Sequence, residues 1–456
     1  MPDNHPTKNT RNYNSFYEIS LPVLDPFDPE RFDKILAVHE IDGHVYIMAS
    51  TRSGKTEFIK LIQYRLISNG KGSIVIIDPH GDLAIQTAKW LGDKKRVVYI
   101  DPSFKDGITP TINPFRLKKI NEKALSIMAQ EILNALESII GTDFSPNMEA
   151  LLIPCIYTLL RKGDSGIDEL SVFMDDENNE YLIELGLKSP IKAHRDFFSR
   201  QFVKKKFEVT KNAIATKVQL LLNNPLFSNF MTGDSTIDLE KEINTNGKVV
   251  IFRLPKDAMR KILAPAAKLI MALVQGIVLK RANLPEEMRP KTYLILDEFQ
   301  NLTSQTLREM LAESAKNHLS VICIHQYLSQ IDTKTKDAVL SNTNVKIIGK
   351  NSHKDLKVMA DELEIDVSLL KNLKKGEFYI KVGTKEAVKI VTTDKALGDK
   401  MSISDRQWKE HLKYQKKHYY KKIIDTPSTI EGVSNDIADS SNTDTALPIP
   451  KFDMEG

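Results

Sequence analysis

Seven short apolar runs, rich in β-branched residues, punctuate the chain: HVYIMA (44–49), SIVIID (73–78), RVVYID (96–101), KVVIFRL (248–254), TYLILDE (292–298), LSVICIHQ (319–326) and VKIIGK (345–350). Each is too short for a helix and is continuous rather than alternating, so both of its faces expect burial. Most are separated by segments with apolar residues at helical spacing. That combination predicts an α/β fold with a mostly parallel sheet and helices on both faces. From about 116 to 240 the strand signals vanish, and EKALSIMAQEILNALESII (122–140) and MEALLIPCIYTLLRK (148–162) follow the 3.6-residue period. We read this stretch as an all-helical insertion. Beyond 352, KDLKVMADELEI predicts a short helix, and GEFYIKVGTKEAVKIVTT (376–393) alternates like a hairpin.

The pattern divides the chain into a first part of the sheet domain (16–115), the insertion (116–240), a second part (241–400), a basic C-terminal helix (401–423) and two tails. Residues 1–15 and 424–456 hold too little apolar material to offset the entropy of ordering, so both are expected to be disordered. The longest apolar stretch, 262–278, is broken by Lys268 and reads as a buried helix rather than a membrane span. The polar start lacks the apolar core of a secretory signal. Only Cys155 and Cys323 occur, both in apolar segments, which suits a reducing cytoplasm.

Charge changes the picture slightly. The formal net charge is +4, but the segment 425–456 carries seven carboxylates against Lys451 alone, leaving +10 on the rest. A positive body suits a phosphate polymer, although charge runs are also ordinary solvated faces.

The candidate chemistry starts at the end of the first strand, where Ala49-Ser50-Thr51-Arg52-Ser53-Gly54-Lys55-Thr56 fits a phosphate-binding loop with Ala49 in place of its first glycine. Such a loop wraps backbone N–H groups round a β-phosphate at a helix N-terminus; Lys55 is positioned for the β and γ oxygens, and the Thr56 hydroxyl for Mg2+. Phosphoryl transfer also needs a carboxylate near the metal and a base for the attacking water. Asp297 and Glu298, ending an apolar strand, are assigned those roles. Gln326, at the end of the next strand, is the candidate nucleotide sensor. Asp78, His80 and Asp82 cluster in a turn but make a poor metal set.

Taken in order, ASTRSGKT, IDPHGDLA, INPF (112–115), LDEFQNL and HQYLSQI resemble the HerA/FtsK superfamily of ring ATPases, and within it the TraG/TraD-type conjugative coupling proteins, over about 40–395. The resemblance implies a RecA-like P-loop NTPase fold, ATP and Mg2+ bound between the subunits of a homo-hexamer, and DNA driven through the central pore. It further implies relaxosome or secretion-channel partners and a cytoplasmic location, peripheral at the inner membrane through those partners. Three departures matter. About 40 residues precede the loop where membrane-bound coupling proteins begin with transmembrane helices, so membrane anchoring and direct attachment to a secretion pore are not expected, and the β-barrel of HerA helicases is not expected either. The site matching the family's trans-acting Arg-Lys pair reads Ala315-Lys316, making Lys316 the substitute finger. Lys350, after the next strand, sits where relatives often show Arg; Arg308 and Arg253 are weaker candidates, since nothing in the sequence fixes their direction.

Two stretches combine lysines with aromatics and are candidates for nucleic-acid contact: 188–219, with Lys204, Lys205 and Lys206 beside Phe197, Phe198 and Phe202, and 406–422, with Trp408 and Tyr419 among lysines. A packed core under solvated lysines is an equal reading of both. Genome packaging for a phage or virus, a HerA-type DNA-processing helicase, a nucleotide-switched binding protein and a non-hydrolysing scaffold remain as alternatives.

Overall fold

All seven apolar runs become strands of one sheet. The computed structural model describes residues 22–25, 27–116, 121–140, 145–351, 353–392 and 402–423; the two tails assigned from composition lie outside them. The strands are β1 (His44–Met48), β2 (Ser73–Asp78), β3 (Val97–Ile100), β4 (Ile108–Thr109), β5 (Val249–Arg253), β6 (Thr292–Leu296), β7 (Leu319–His325), β8 (Thr343–Gly349), β9 (Glu377–Val382), β10 (Val388–Val391) and β11 (Lys421–Lys422). Nine of them form the sheet β10-β9-β8-β1-β7-β6-β2-β5-β3. From β8 to β3 every pairing is parallel; β9 and β10 add the antiparallel hairpin. The two-residue strands β4 and β11 pair separately.

Continuous apolar strands send alternate residues to opposite faces. Val45 and Ile47 of β1 join Phe58, Ile59 and Ile62 of the following helix, Lys55–Asn69, on one face. Tyr46 and Met48 face the other side, together with Val75, Leu294 and Val321. On that second face the core runs without a break into the helical segment, where Met128, Ile132, Leu151 and Leu159 are buried. Helices Glu122–Ile140 and Leu263–Lys280 pack directly against each other. Gly276 permits the close approach, since a Cβ there would lie 2.3 Å from the Met128 methyl carbon. The stretch Lys256–Asn283 is long and apolar enough to cross a membrane, but 83% of its most apolar window is buried in protein.

The helical segment leaves and rejoins the sheet domain through a bonded neck. Thr111 and Thr236 exchange bonds, with Thr111 N–H donating to the Thr236 hydroxyl at 2.9 Å and Thr236 N–H to the Thr111 carbonyl at 2.9 Å. Asn113 donates from its amide to the Ser165 and Gly233 carbonyls.

The C-terminal helix Asp405–Tyr419 starts on a Ser404/Gln407 capping box and lies against β3, the edge strand. Its side chains take the place of a neighbouring strand. Gln415 accepts from Tyr99 N–H at 3.0 Å and donates to the Val97 carbonyl at 3.0 Å; the Tyr420 hydroxyl accepts from Asp101 N–H and donates to the Tyr99 carbonyl. An open edge is thereby closed.

Of the aromatic residues offered as base-stacking groups, the three phenylalanines are core, and Trp408 and Tyr419 are partly buried. Phe197, Phe198 and Phe202 are buried against one another and against Phe173, while Lys204, Lys205 and Lys206 are exposed. Trp408 packs edge-on against Tyr99. The first stretch presents no stacking platform, because its short amphipathic helix buries its aromatic face against the bundle.

Candidate active site

In a parallel sheet the C-terminal strand ends line a common rim, and the connections leaving β1, β2, β6 and β7 meet there. After β1 the chain turns through residues 49–54 and enters its helix at Lys55. Gly54 has φ +97° and Arg52 φ +63°, the left-handed region that turns successive N–H groups inward. Gly54 gives the helix no side-chain cap, so the first-turn amides are open to an anion. Ser50 ties the loop to the next strand over, its N–H and hydroxyl both donating to the Lys350 carbonyl at 2.9 and 2.8 Å. Ala49 is fully buried, and a Cβ on Gly349 would lie 2.9 Å from the Ala49 Cβ. The methyl group that replaces the loop's first glycine is therefore accommodated by a glycine opposite.

A cleft of about 400 Å³ opens over this loop, lined among others by Lys55, Thr56, Asp297, Glu298, Gln326 and Lys375. Lys55 Nζ lies 3.2 Å from Glu298 Oε1. The same oxygen accepts from Gln326 Nε2 at 3.0 Å, Gln326 Oε1 accepts from the Thr51 hydroxyl at 2.9 Å, and Gln300 donates to the other Glu298 oxygen. Loop, carboxylate and sensor thus form one chain of bonds. Burial opposes ionisation of Glu298, but the Gln326 hydrogen bond and the Lys55 ammonium outweigh it and hold the carboxyl below its ordinary range. Glu298 itself sits at φ +50°, a strained conformation for a side chain of its size and one that clusters at functional sites. Asp297 behaves oppositely: burial, reinforced by the Asp78 and Glu298 charges and opposed by Lys55, pushes it up to about 6. The two adjacent carboxylates thus respond oppositely to one environment.

Behind the rim, His325 Nε2 is 2.6 Å from the Tyr46 hydroxyl, and burial lowers its pKa to about 3, so it packs as a neutral ring. Asp78 accepts three N–H bonds, from His80, Gly81 and Ala84, and so caps the helix Asp82–Leu91. His80 reaches the cleft, with Nε2 4.0 Å from Glu298 Oε1.

The remaining candidates fall elsewhere. Lys316 precedes β7, at the opposite end of the sheet from Gln326; it is exposed, and its nearest carboxylate is Glu313 at 3.9 Å. The seven-residue strand between them spans roughly 20 Å. Arg308 is held by Gln305 and Thr335, and Arg253 by Asp101 at 2.7 Å. Lys350 is exposed beside the loop it anchors. Sequence reasoning missed Lys375 and left His80 and Asp82 without a role at the cleft; nothing local marks Lys375, which reaches the cleft only through the packing of its loop.

The nucleotide machinery fits these residues. The uncapped helix start and the Gly54 conformation form an anion cradle, Lys55 supplies a cation inside it, and Thr56 with Asp297 are the oxygen donors that would hold Mg2+.

The family description "Helicase HerA, central domain" matches residues 34–274, more than half of the chain. A second, "TraM recognition site of TraD and TraG", matches residues 291–363. No curated protein sequence matches significantly. Among solved structures, the plasmid coupling protein TrwB in complex with a non-hydrolysable ATP analogue superimposes with a TM-score of 0.59 at 18% identity, over 78% of this chain and 86% of that one. The TrwB complex with ADP and Mg2+ gives 0.58 at 18% identity and the same coverage. VirB4 of Thermoanaerobacter pseudethanolicus gives 0.52 at 16%, over 80% and 90% of the two chains. These likenesses establish the RecA-like P-loop fold. With that fold, and with the match over residues 34–274, the chain belongs to the HerA central-domain family of P-loop ATPases.

Proposed function

We propose that the chain is an ATP-driven DNA translocase of the conjugative-coupling kind, working as a homo-hexamer that moves DNA through its pore. The observation that carries this reading is the bonded chain Thr51–Gln326–Glu298–Lys55 across three strand ends in one cleft. Before nucleotide enters, Glu298 neutralises Lys55. A triphosphate would draw the ammonium away and leave Glu298 held by Gln326 and Gln300, placed to take a proton from water. Mg2+, held by Thr56 and Asp297, would supply charge neutralisation on the phosphates. Gln326, bonded to both Thr51 and Glu298, orients the water and reads the terminal phosphate.

The net charge of +10 outside the segment 425–456 suits a polyanionic cargo held through its backbone. Lys316 is exposed and lies outside its own cleft, as a finger acting across a ring interface must. Relaxosome or secretion-channel proteins are the partners that the TraD/TraG match suggests.

The test is ATP turnover with and without DNA. Turnover stimulated by DNA and abolished in Glu298→Gln is expected; undiminished turnover in that variant removes the assigned base. No turnover under either condition would favour the non-hydrolysing scaffold.

A further inference from the structure

A basic residue outside the phosphate loop reaches the cleft from the other side. Lys375 lies between the helix Val367–Lys371 and β9, lines the cleft, is exposed and makes no ion pair among the described residues. Its position is fixed by the next residue. Gly376, at φ +81°, donates its N–H to the Ser53 carbonyl at 2.8 Å and accepts at its own carbonyl from Thr392 N–H at 2.8 Å. A Cβ on Gly54 would stand 3.1 Å from Gly376 Cα and N, so the two loops lie back to back. Phe58 and Phe378, one from each side of the contact, bring their rings to 4.7 Å. The loop carrying Lys375 is thus fastened to the phosphate loop itself.

Sheet order says which part of a nucleotide it meets. The acids follow β6 and the sensor follows β7, on one side of β1; β8 and β9 lie on the other. The terminal phosphate belongs on the side of Glu298 and Gln326. A cation arriving from the β8–β9 side faces the part of the ligand that ADP and ATP share.

We propose that Lys375 is a second nucleotide-binding cation, contacting the α-phosphate–ribose side of the bound nucleoside phosphate. This rests on the reading of the cleft as a nucleotide site. The residue is a binding group and takes no part in the proton transfer assigned to Glu298.

Calorimetric titration of the full chain with Mg-ADP and with a non-hydrolysable Mg-ATP analogue tests it. In Lys375→Ala both Kd values should rise by the same factor, about five- to tenfold, the size of one charge-assisted contact at an exposed site. The KM for ATP should rise in parallel, with kcat at saturating ATP within about twofold of the parent, and Lys375→Arg should restore most of the affinity. Unchanged Kd values in Lys375→Ala overturn the assignment. So does an unchanged ADP affinity with a fall in kcat, which would put the lysine at the terminal phosphate. Parent protein that binds neither nucleotide would instead refute the site, whereas parent binding matched by the alanine variant refutes only the role of Lys375. Far-UV circular dichroism checks that the variant is folded.

Discussion

The nucleotide cleft and the basic stretch of the helical segment use the same residue types in opposite ways. In the cleft, Lys55 and Glu298 are largely buried and neutralise each other, and the aromatic ring of Phe299 lies behind them against His325. Around 197–207, the phenylalanines form the core and the lysines face solvent. Burying a charge beside its partner is costly, and a buried pair that lines a cleft is a candidate for chemistry rather than for stability. Sorting apolar residues inward and charges outward is what any helix bundle does. Composition of a stretch therefore says little; where the charges sit says more.

Several substitutions separate the two behaviours. The largest effect is expected at the cleft, where Lys55→Ala or Glu298→Gln should lower kcat per folded molecule by about 10²–10³-fold, as loss of one preorganised charged group does, beyond any stability lost by leaving the partner charge unpaired. Phe198→Ala should do the reverse: a stability loss of about 3–5 kcal/mol by urea titration, the cost of emptying a packed aromatic site, and normal turnover in the molecules that remain folded. A large loss of turnover per folded molecule would mean that the helical core is wired to the cleft.

The contact of the helix Glu122–Ile140 with the helix Gln305–Glu313 should respond to pH. Glu131, on the helix Glu122–Ile140, is buried near Glu309 and Glu313; burial first, then those charges, raise its pKa to about 8. The unfolded carboxyl titrates near its ordinary value, so the folded state holds an extra proton between roughly pH 4.5 and 8. Stability should consequently fall as pH rises through that window. Glu131→Gln should leave stability unaltered at pH 5 and raise it by about 1–3 kcal/mol at pH 9, read from urea midpoints at the two values. A variant equally stable at both values relative to the parent would show that Glu131 ionises freely. The smallest effect is expected for Ala49→Gly. Since Gly349 already accommodates the methyl group, turnover should stay within about twofold; a gain above tenfold would mean that the loop is distorted by Ala49.

The sheet was legible because its parallel strands are buried on both faces and so appear as unbroken apolar runs. The rim residues Lys55, Asp297, Glu298 and Gln326 were legible because each terminates such a run or opens the helix behind it. β4 and β11 were not, since two residues carry no periodicity. The order of strands follows from which helices cover which face, a tertiary property that no single segment encodes. Lys375 was invisible for the same reason: it reaches the cleft through the contact of two glycine-bearing loops far apart in sequence. The readings of Phe197, Phe198 and Phe202 as stacking groups failed because interleaved Lys and Phe at this spacing describe an amphipathic helix as well as a nucleic-acid surface.

The covering of β3 by Gln415 and Tyr420 limits how copies of this chain can associate. At the other border, the four-residue β10 is met at Val391 by the chain near Val23, with Leu24 N–H donating to the Val391 carbonyl. Growth by β-augmentation, in which one molecule's strand extends another's sheet, is obstructed along β3 and at the Val391 end of β10. With β3 covered by side chains of the C-terminal helix, copies of this chain that meet on that flank do so through helix and loop surfaces rather than through a shared ladder of main-chain bonds.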